Sequence, residues 1–135
     1  MLLVATFTSA AALGMSALAL ALDDTTVREA VAAWLADADA ATKVYGHISD
    51  WDVSQVTTLE GLFAGAAAFN ADLSRWRVSR VTTMKDMFKS ASAFSGDIRG
   101  WDVSSVRTFA RMFLRAHSFD GDLRCAHVAH APSEP

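Results

Sequence analysis

A single cysteine, Cys125, in 135 residues rules out an internal disulfide, so apolar packing must hold the chain together. The one asparagine, Asn70, is followed by Ala71 and Asp72, which leaves no Asn-x-Ser/Thr glycosylation site. Prolines and glycines are few, at 2 and 7, and 52% of the residues are apolar, a composition that favours one packed domain over disorder. There is no Gly-rich phosphate loop, no Gly-x-Ser-x-Gly elbow and no His-Glu-x-x-His pair, and His47 and His117 stand alone among apolar or loop residues. An enzyme is therefore not expected, and no cofactor or metal is implied. The net charge of -3 also speaks against a nucleic-acid partner. Its distribution is uneven: the first fifty residues are acidic, whereas the two segments opening at Trp76 and Trp101 are basic.

Residues 1–22, MLLVATFTSAAALGMSALALAL, carry no charged side chain and end in small residues before Asp23 and Asp24. Three readings fit: a cleaved secretory signal, an uncleaved membrane anchor, or a buried core helix. The first two place the chain in the secreted or cell-surface compartment, with membrane contact only through this segment. Thr26-Val27-Arg28-Glu29 fits a capping box, and the apolar stripe Val27, Ala30, Val31, Trp34, Leu35, Ala38 predicts a helix that ends by Gly46, with Trp34 facing inward.

The chain then writes one line three times. WDVSQVTTLEGLFAGAAAFNADLSR, WRVSRVTTMKDMFKSASAFSGDIRG and WDVSSVRTFARMFLRAHSFDGDLRC align without a slip at a spacing of 25 residues. Identical columns include Trp51/Trp76/Trp101, Val53/Val78/Val103, Phe63/Phe88/Phe113 and Phe69/Phe94/Phe119. In each unit Trp-x-Val alternates like a strand, and then a stripe such as Met84, Met87, Phe88, Ala91 has helical spacing, with Thr58, Thr83 or Thr108 placed to cap its start. So short a helix does not persist alone, so the units must shelter one another by stacking. The expected fold class is α/β: a short, curved repeat solenoid, leucine-rich-repeat-like, with a strand and a short helix per 25-residue coil and an N-terminal capping helix. The expected divisions are residues 1–22, a capping segment 23–50, three units over 51–125 and a tail 126–135.

The pattern WDVSxVTxMxxMFxxAxxFNxDLSxW resembles the BspA-type leucine-rich-repeat-like surface protein family, also described as mycoplasma lipoprotein-type repeats of unknown function. The resemblance covers residues 51–125 and the lead-in before them. It implies a secreted or surface-displayed protein of adhesin type and carries over no enzymatic residue.

Several candidate binding groups follow. The ladder Trp51, Trp76, Trp101 is either core filling, the favoured reading, or an exposed platform for a glycan. Arg77, Arg80, Lys85, Lys89, Arg111 and Arg115 form either a solvated face or a cationic docking surface. Asp72, Asp97 and Asp122 are read as turn residues in preference to a calcium column, and Cys125, His127 and His130 as a frayed terminus in preference to a zinc site. The expected function is a non-enzymatic scaffold that binds a protein or a surface glycan. The alternatives are a structural module forming a homo-oligomer through an uncapped C-terminal repeat, and a carbohydrate-binding module.

Overall fold

Ala21 and Leu22 pair with Asp52, and Asp23 then sets the start of the first helix. Its carboxylate accepts from the backbone N–H of Thr25 (3.0 Å) and of Thr26 (2.8 Å), while the Thr26 hydroxyl accepts from the Asp23 N–H at 2.8 Å. This reciprocal pair is the capping box, set one turn earlier than the expected Thr26/Glu29 pair, because Asp23 offers an ionised acceptor to the orphan amides. Those bonds, with the Thr26 amide foremost, hold the Asp23 carboxyl below its ordinary range. Helix α1 (Thr26–Ala36) follows, then α2 (Ala38–Tyr45). The single expected helix is thus broken at Asp37, whose extended backbone lets its side chain cap α2 by accepting from the Ala40 N–H at 3.1 Å. Gly46 ends α2 at φ 80, and a 3-10 turn (Ile48–Asp50) leads to Trp51.

The computed structural model describes residues 21–121. The apolar leader up to residue 20 and the tail with Asp122, Cys125, His127 and His130 lie outside them. No helix among the described residues is long and apolar enough to cross a membrane.

The expected α/β solenoid does not form. Between residues 51 and 121 there is no α-helix and no strand, only successive turns and isolated parallel bridges, Ala21 to Asp52, Thr58 to Thr83 and Thr83 to Thr108. The reason lies in where the amides go. An α-helix would consume its N–H groups internally, through bonds to the residue four back. Here alternate amides leave the layer instead. The N–H groups of Leu59, Gly61, Phe63 and Gly65 donate to the carbonyls of Thr83, Lys85, Met87 and Lys89 at 2.8–3.0 Å, and those of Met84, Asp86, Phe88 and Ser90 donate to Thr108, Ala110, Met112 and Leu114 at 2.7–3.0 Å. The amides between them close turns three residues back, as in Leu62 to Leu59 and Ala64 to Gly61. A spacing of i, i+3, i+4, i+7 is met equally by such a chain of turns, so Leu59, Leu62 and Phe63 are buried as the stripe requires while the backbone is not helical. Thr58, Thr83 and Thr108 accept from the amide two residues on (3.2, 3.2 and 3.1 Å) and so cap turns, not helices.

The strand expectation fails at the tryptophan corner for a related reason. Trp76 and Val78 do point inward with Arg77 outward, yet the amides here fold back, from Trp76 to Leu73 and from Val81 to Val78. The link between layers is a side chain: the indole N–H of Trp76 donates to the Ile48 carbonyl at 2.8 Å, and that of Trp101 to Leu73 at 3.0 Å. Aromatic rings fill the space between. Phe63, Phe88 and Phe113 stack at 5.5 and 5.6 Å, Phe69, Phe94 and Phe119 at 6.0 Å, and each column touches the other within its layer at 3.8–4.1 Å.

The third residue of two turns in every layer has a positive φ: Gly61 (64) and Gly65 (78), then Asp86 and Ser90, then Arg111 and Arg115. Outside glycine such a φ costs roughly 1–2 kcal/mol. Each cross-layer bond contributes about 1 kcal/mol net, so the bonds roughly offset the strain and burial of the rings decides the balance.

The first layer has no layer before it, and Asp24 substitutes for one. Its carboxylate accepts from the Thr57 N–H (2.7 Å), the Thr57 hydroxyl (2.6 Å) and the Thr58 N–H (3.3 Å), where Thr82 in the next layer finds the Thr57 carbonyl. Partial burial raises the Asp24 pKa, but the Thr57 and Thr58 donors outweigh it and the net shift is downward. Arg28 of α1 donates to the Glu60 carbonyl at 2.8 Å.

Two predictions follow from these bonds. Gly61→Ala destabilises the chain by about 1 kcal/mol even though open space surrounds the new methyl, whereas Ser90→Gly is neutral or stabilising; urea denaturation reads both. Asp24→Ala costs about 1–3 kcal/mol at neutral pH. Because the folded pKa is depressed, that contribution is present above the unfolded value of about 3.9 and disappears as pH falls through the folded one, so wild type and variant converge in acid.

Candidate functional site

The tryptophan ladder is core. Trp51, Trp76 and Trp101 are 5%, 2% and 1% exposed, and each indole N–H is spent on a backbone carbonyl, Trp51 reaching Gly46 at 2.9 Å. Trp51 and Trp76 stack at 6.3 Å inside the protein, so the platform reading is corrected: no ring face meets solvent. The tryptophan that keeps an exposed part is Trp34 of α1, edge-on to His47 at 5.0 Å and to Trp51 at 6.0 Å. It lines a cleft of about 520 Å³ with Leu35, which is 46% exposed, and with residues 64–71. As the helical stripe implied, Trp34 packs against the core, and only part of its side chain stays open to this cleft.

The six candidate cations do not converge on one spot. Arg77 and Arg80 belong to the tryptophan corner, and Lys85, Lys89, Arg111 and Arg115 to the ribbon of turns. Three of them bind the layer before or behind. Arg80 donates to Gln55 at 3.0 Å, Lys85 lies 4.0 Å from Glu60, and Arg111 grips Asp86 through two bonds of 2.8 and 2.9 Å. Arg75, which sequence reasoning passed over, pairs in the same way with Asp50. All four pairs join residues 25 apart, so the period that stacks the rings also aligns these charges. The Arg111 guanidinium holds the Asp86 carboxyl below its usual range. Exposed pairs of this kind contribute little, about 0–1 kcal/mol each, and a salt-bridge count does not explain the fold. Arg77, Lys89 and Arg115 form no hydrogen bond or close ion pair with a described residue. Arg77 borders a cleft of about 290 Å³ with Asp52 and Arg75.

The acidic column turns toward its own backbone. Asp72 accepts from the Ser74 N–H at 2.9 Å, and Asp97 accepts from the Arg99 N–H at 3.0 Å and from its guanidinium at 3.0 Å on each oxygen. The Arg99 side chain, then its amide, draw the Asp97 pKa down to about 2. Among the described residues no group of three or more His, Cys, Asp or Glu side chains is arranged to hold a metal ion.

If the three corner tryptophans are core and Trp34 is the accessible indole, acrylamide quenches only a fraction of the fluorescence, and Trp34→Phe removes that fraction while leaving the protected remainder. A quenched signal of equal size from Trp76 would overturn the burial described above.

No curated protein and no solved structure matches this chain. A family profile does match, over residues 33–133, which takes in the end of α1, α2 and every layer of turns. By that match, the chain belongs to the family described as Mycoplasma protein of unknown function, DUF285.

Proposed function

We propose that the chain is a non-enzymatic recognition scaffold, secreted or displayed at a cell surface, that binds an acidic macromolecular partner, a protein or a surface glycan, through the exposed side of its ribbon of turns. Support comes from the contrast between an interior that stays apolar in every unit and an exterior that changes character from unit to unit. The buried positions Trp51/Trp76/Trp101, Val56/Val81/Val106 and Ala91/Ala116 repeat without change, whereas the outward positions read Glu60/Lys85/Ala110, Gly61/Asp86/Arg111, Ala64/Lys89/Leu114 and Gly65/Ser90/Arg115. A fold that only had to hold itself together gains nothing from such variety on one face. Export is supported by the uncharged residues 1–22, and the adhesin-type role by the likeness of the 25-residue line to BspA-type surface proteins, the finer form of the family assignment.

Self-association through the C-terminal layer is the second reading, favoured by Leu114, which is 44% exposed, and by the half-buried Phe113 and Phe119. Two copies meeting across a two-fold axis there would set amide donors against amide donors, which weakens it.

Immobilised acidic glycans and acidic proteins should retain the chain at low salt and release it as ionic strength rises, and Lys89→Glu with Arg115→Glu should lower affinity by about tenfold or more. Retention that ignores both salt and charge reversal, or none on any anionic surface, would overturn the proposal.

A further inference from the structure

We propose that the C-terminal edge of the stack, the amide row Phe109, Arg111, Phe113 and Arg115, is a docking edge for an acidic peptide segment carrying an aromatic side chain. The first and second layers show what this row is for. Their equivalent amides, Leu59/Gly61/Phe63/Gly65 and Met84/Asp86/Phe88/Ser90, each point to the following layer and find a carbonyl at every second residue. The four amides at the same positions of the third layer have no acceptor among the described residues. Beside them Phe113 and Phe119 meet no further ring of their columns among the described residues, and both side chains are half-buried where Phe88 and Phe94 are sealed. The edge therefore asks for carbonyls spaced two residues apart and for one or two aromatic rings, which is what a peptide offers and a polysaccharide does not.

Charge selects which peptide. Along the ribbon, residues 56–67 hold Glu60 as their one charged side chain, residues 81–92 hold Lys85, Asp86 and Lys89, and residues 106–117 hold Arg107, Arg111 and Arg115 with no carboxylate. Positive charge thus grows toward the end where the N–H groups emerge. Aligned amides make that end electropositive already, and a cation beside it is the reverse of what stabilises a dipole. Arg111 is compensated by Asp86, but Arg107 and Arg115 pair with no described residue. An anionic partner relieves this arrangement, as a bound anion does at any cluster of outward-pointing amides.

The proposal rests on reading the chain as a recognition scaffold, and the test separates the two. The probe is a synthetic peptide with the sequence of residues 82–94 in which Lys85 and Lys89 are glutamate, added to the full chain and followed by amide hydrogen exchange. In the free chain the amides of Phe109, Arg111, Phe113 and Arg115 should exchange fast while those of Leu59, Gly61, Phe63 and Gly65 are protected. The acidic peptide should slow the first set by about tenfold or more and leave the second unchanged; the unmodified lysine peptide should act more weakly by about tenfold, and Arg107→Glu with Arg115→Glu should abolish the effect. Protection of the first two layers in that variant verifies that it is folded. Four results overturn the proposal: protection of the edge in the free chain at all concentrations, which means residues 122–135 cover it; protection that appears with concentration, which means a second copy does; equal action of both peptides; or no protection by either. If acidic macromolecules bind elsewhere, at Arg77 or Lys89, the edge amides stay fast and only this proposal falls.

Discussion

Every feature of this protein depends on one constraint: a residue and the residue 25 positions later must sit in adjacent layers with their backbones close enough to share a hydrogen bond. Alternate amides of the ribbon satisfy it directly, from Leu59 to Thr83 and onward, and the carbonyls of Thr57 and Thr82 satisfy it in the opposite sense toward Thr82 and Arg107. Once the backbones are so fixed, identical side chains fall on identical side chains. The columns of phenylalanines are then a consequence of register, and each stacked pair adds about 0.5–1.5 kcal/mol beyond the area it buries. An insertion of a single residue within a unit would put the bonds and ring columns that span it out of register, which accords with three lines that align without a slip.

The same constraint explains what could be read from the sequence and what could not. The spacing of 25, the inward set of each unit and the need for neighbours were all legible, because burial is written in the identity of Trp76, Val78, Met84 and Phe88. The backbone conformation was not. A stripe at i, i+3, i+4, i+7 states which side chains face inward, and both an α-helix and a run of linked turns present it. What distinguishes the two is the destination of the amides, on which residue type has little to say. One signal was present in Gly61 and Gly65, four apart inside the supposed helix, where each would weaken a helix and where a turn with positive φ welcomes both. It was masked because the later layers place Asp86, Ser90, Arg111 and Arg115 at those positions. Among the candidate groups, the tryptophans were legible as core. The cations were harder to judge, since whether Lys85 or Arg111 is bound or available depends on the residue 25 before it, Glu60 or Asp86.

The N-terminal closure shows how narrowly a layer's requirements can be met without a layer. Asp24 presents two oxygens where a preceding carbonyl would stand, and Arg28 presents a guanidinium group where preceding amides would stand, at Glu60. An ionised group does at each point what a neutral peptide group does between layers, and a charged hydrogen bond is roughly twice as strong. Two helices can therefore terminate a stack of turns although their backbones have nothing in common with it.

No equivalent substitution is seen among the described residues at the other end, and the charges there run against stability. Arginine is a poor occupant of a positive φ, because its Cβ crowds the following carbonyl, and a poor neighbour for emerging amides, because it adds to their positive field. Glycine at positions 111 and 115, as at 61 and 65, would relieve the first cost, and glutamate at 107 or 115 would relieve the second. The third layer accepts both costs at Arg111 and Arg115 while its interior stays as regular as that of the second. Because departures from local consistency gather where a surface has work beyond folding, the arginine-bearing edge is the part of this fold whose chemistry is least accounted for by the fold itself.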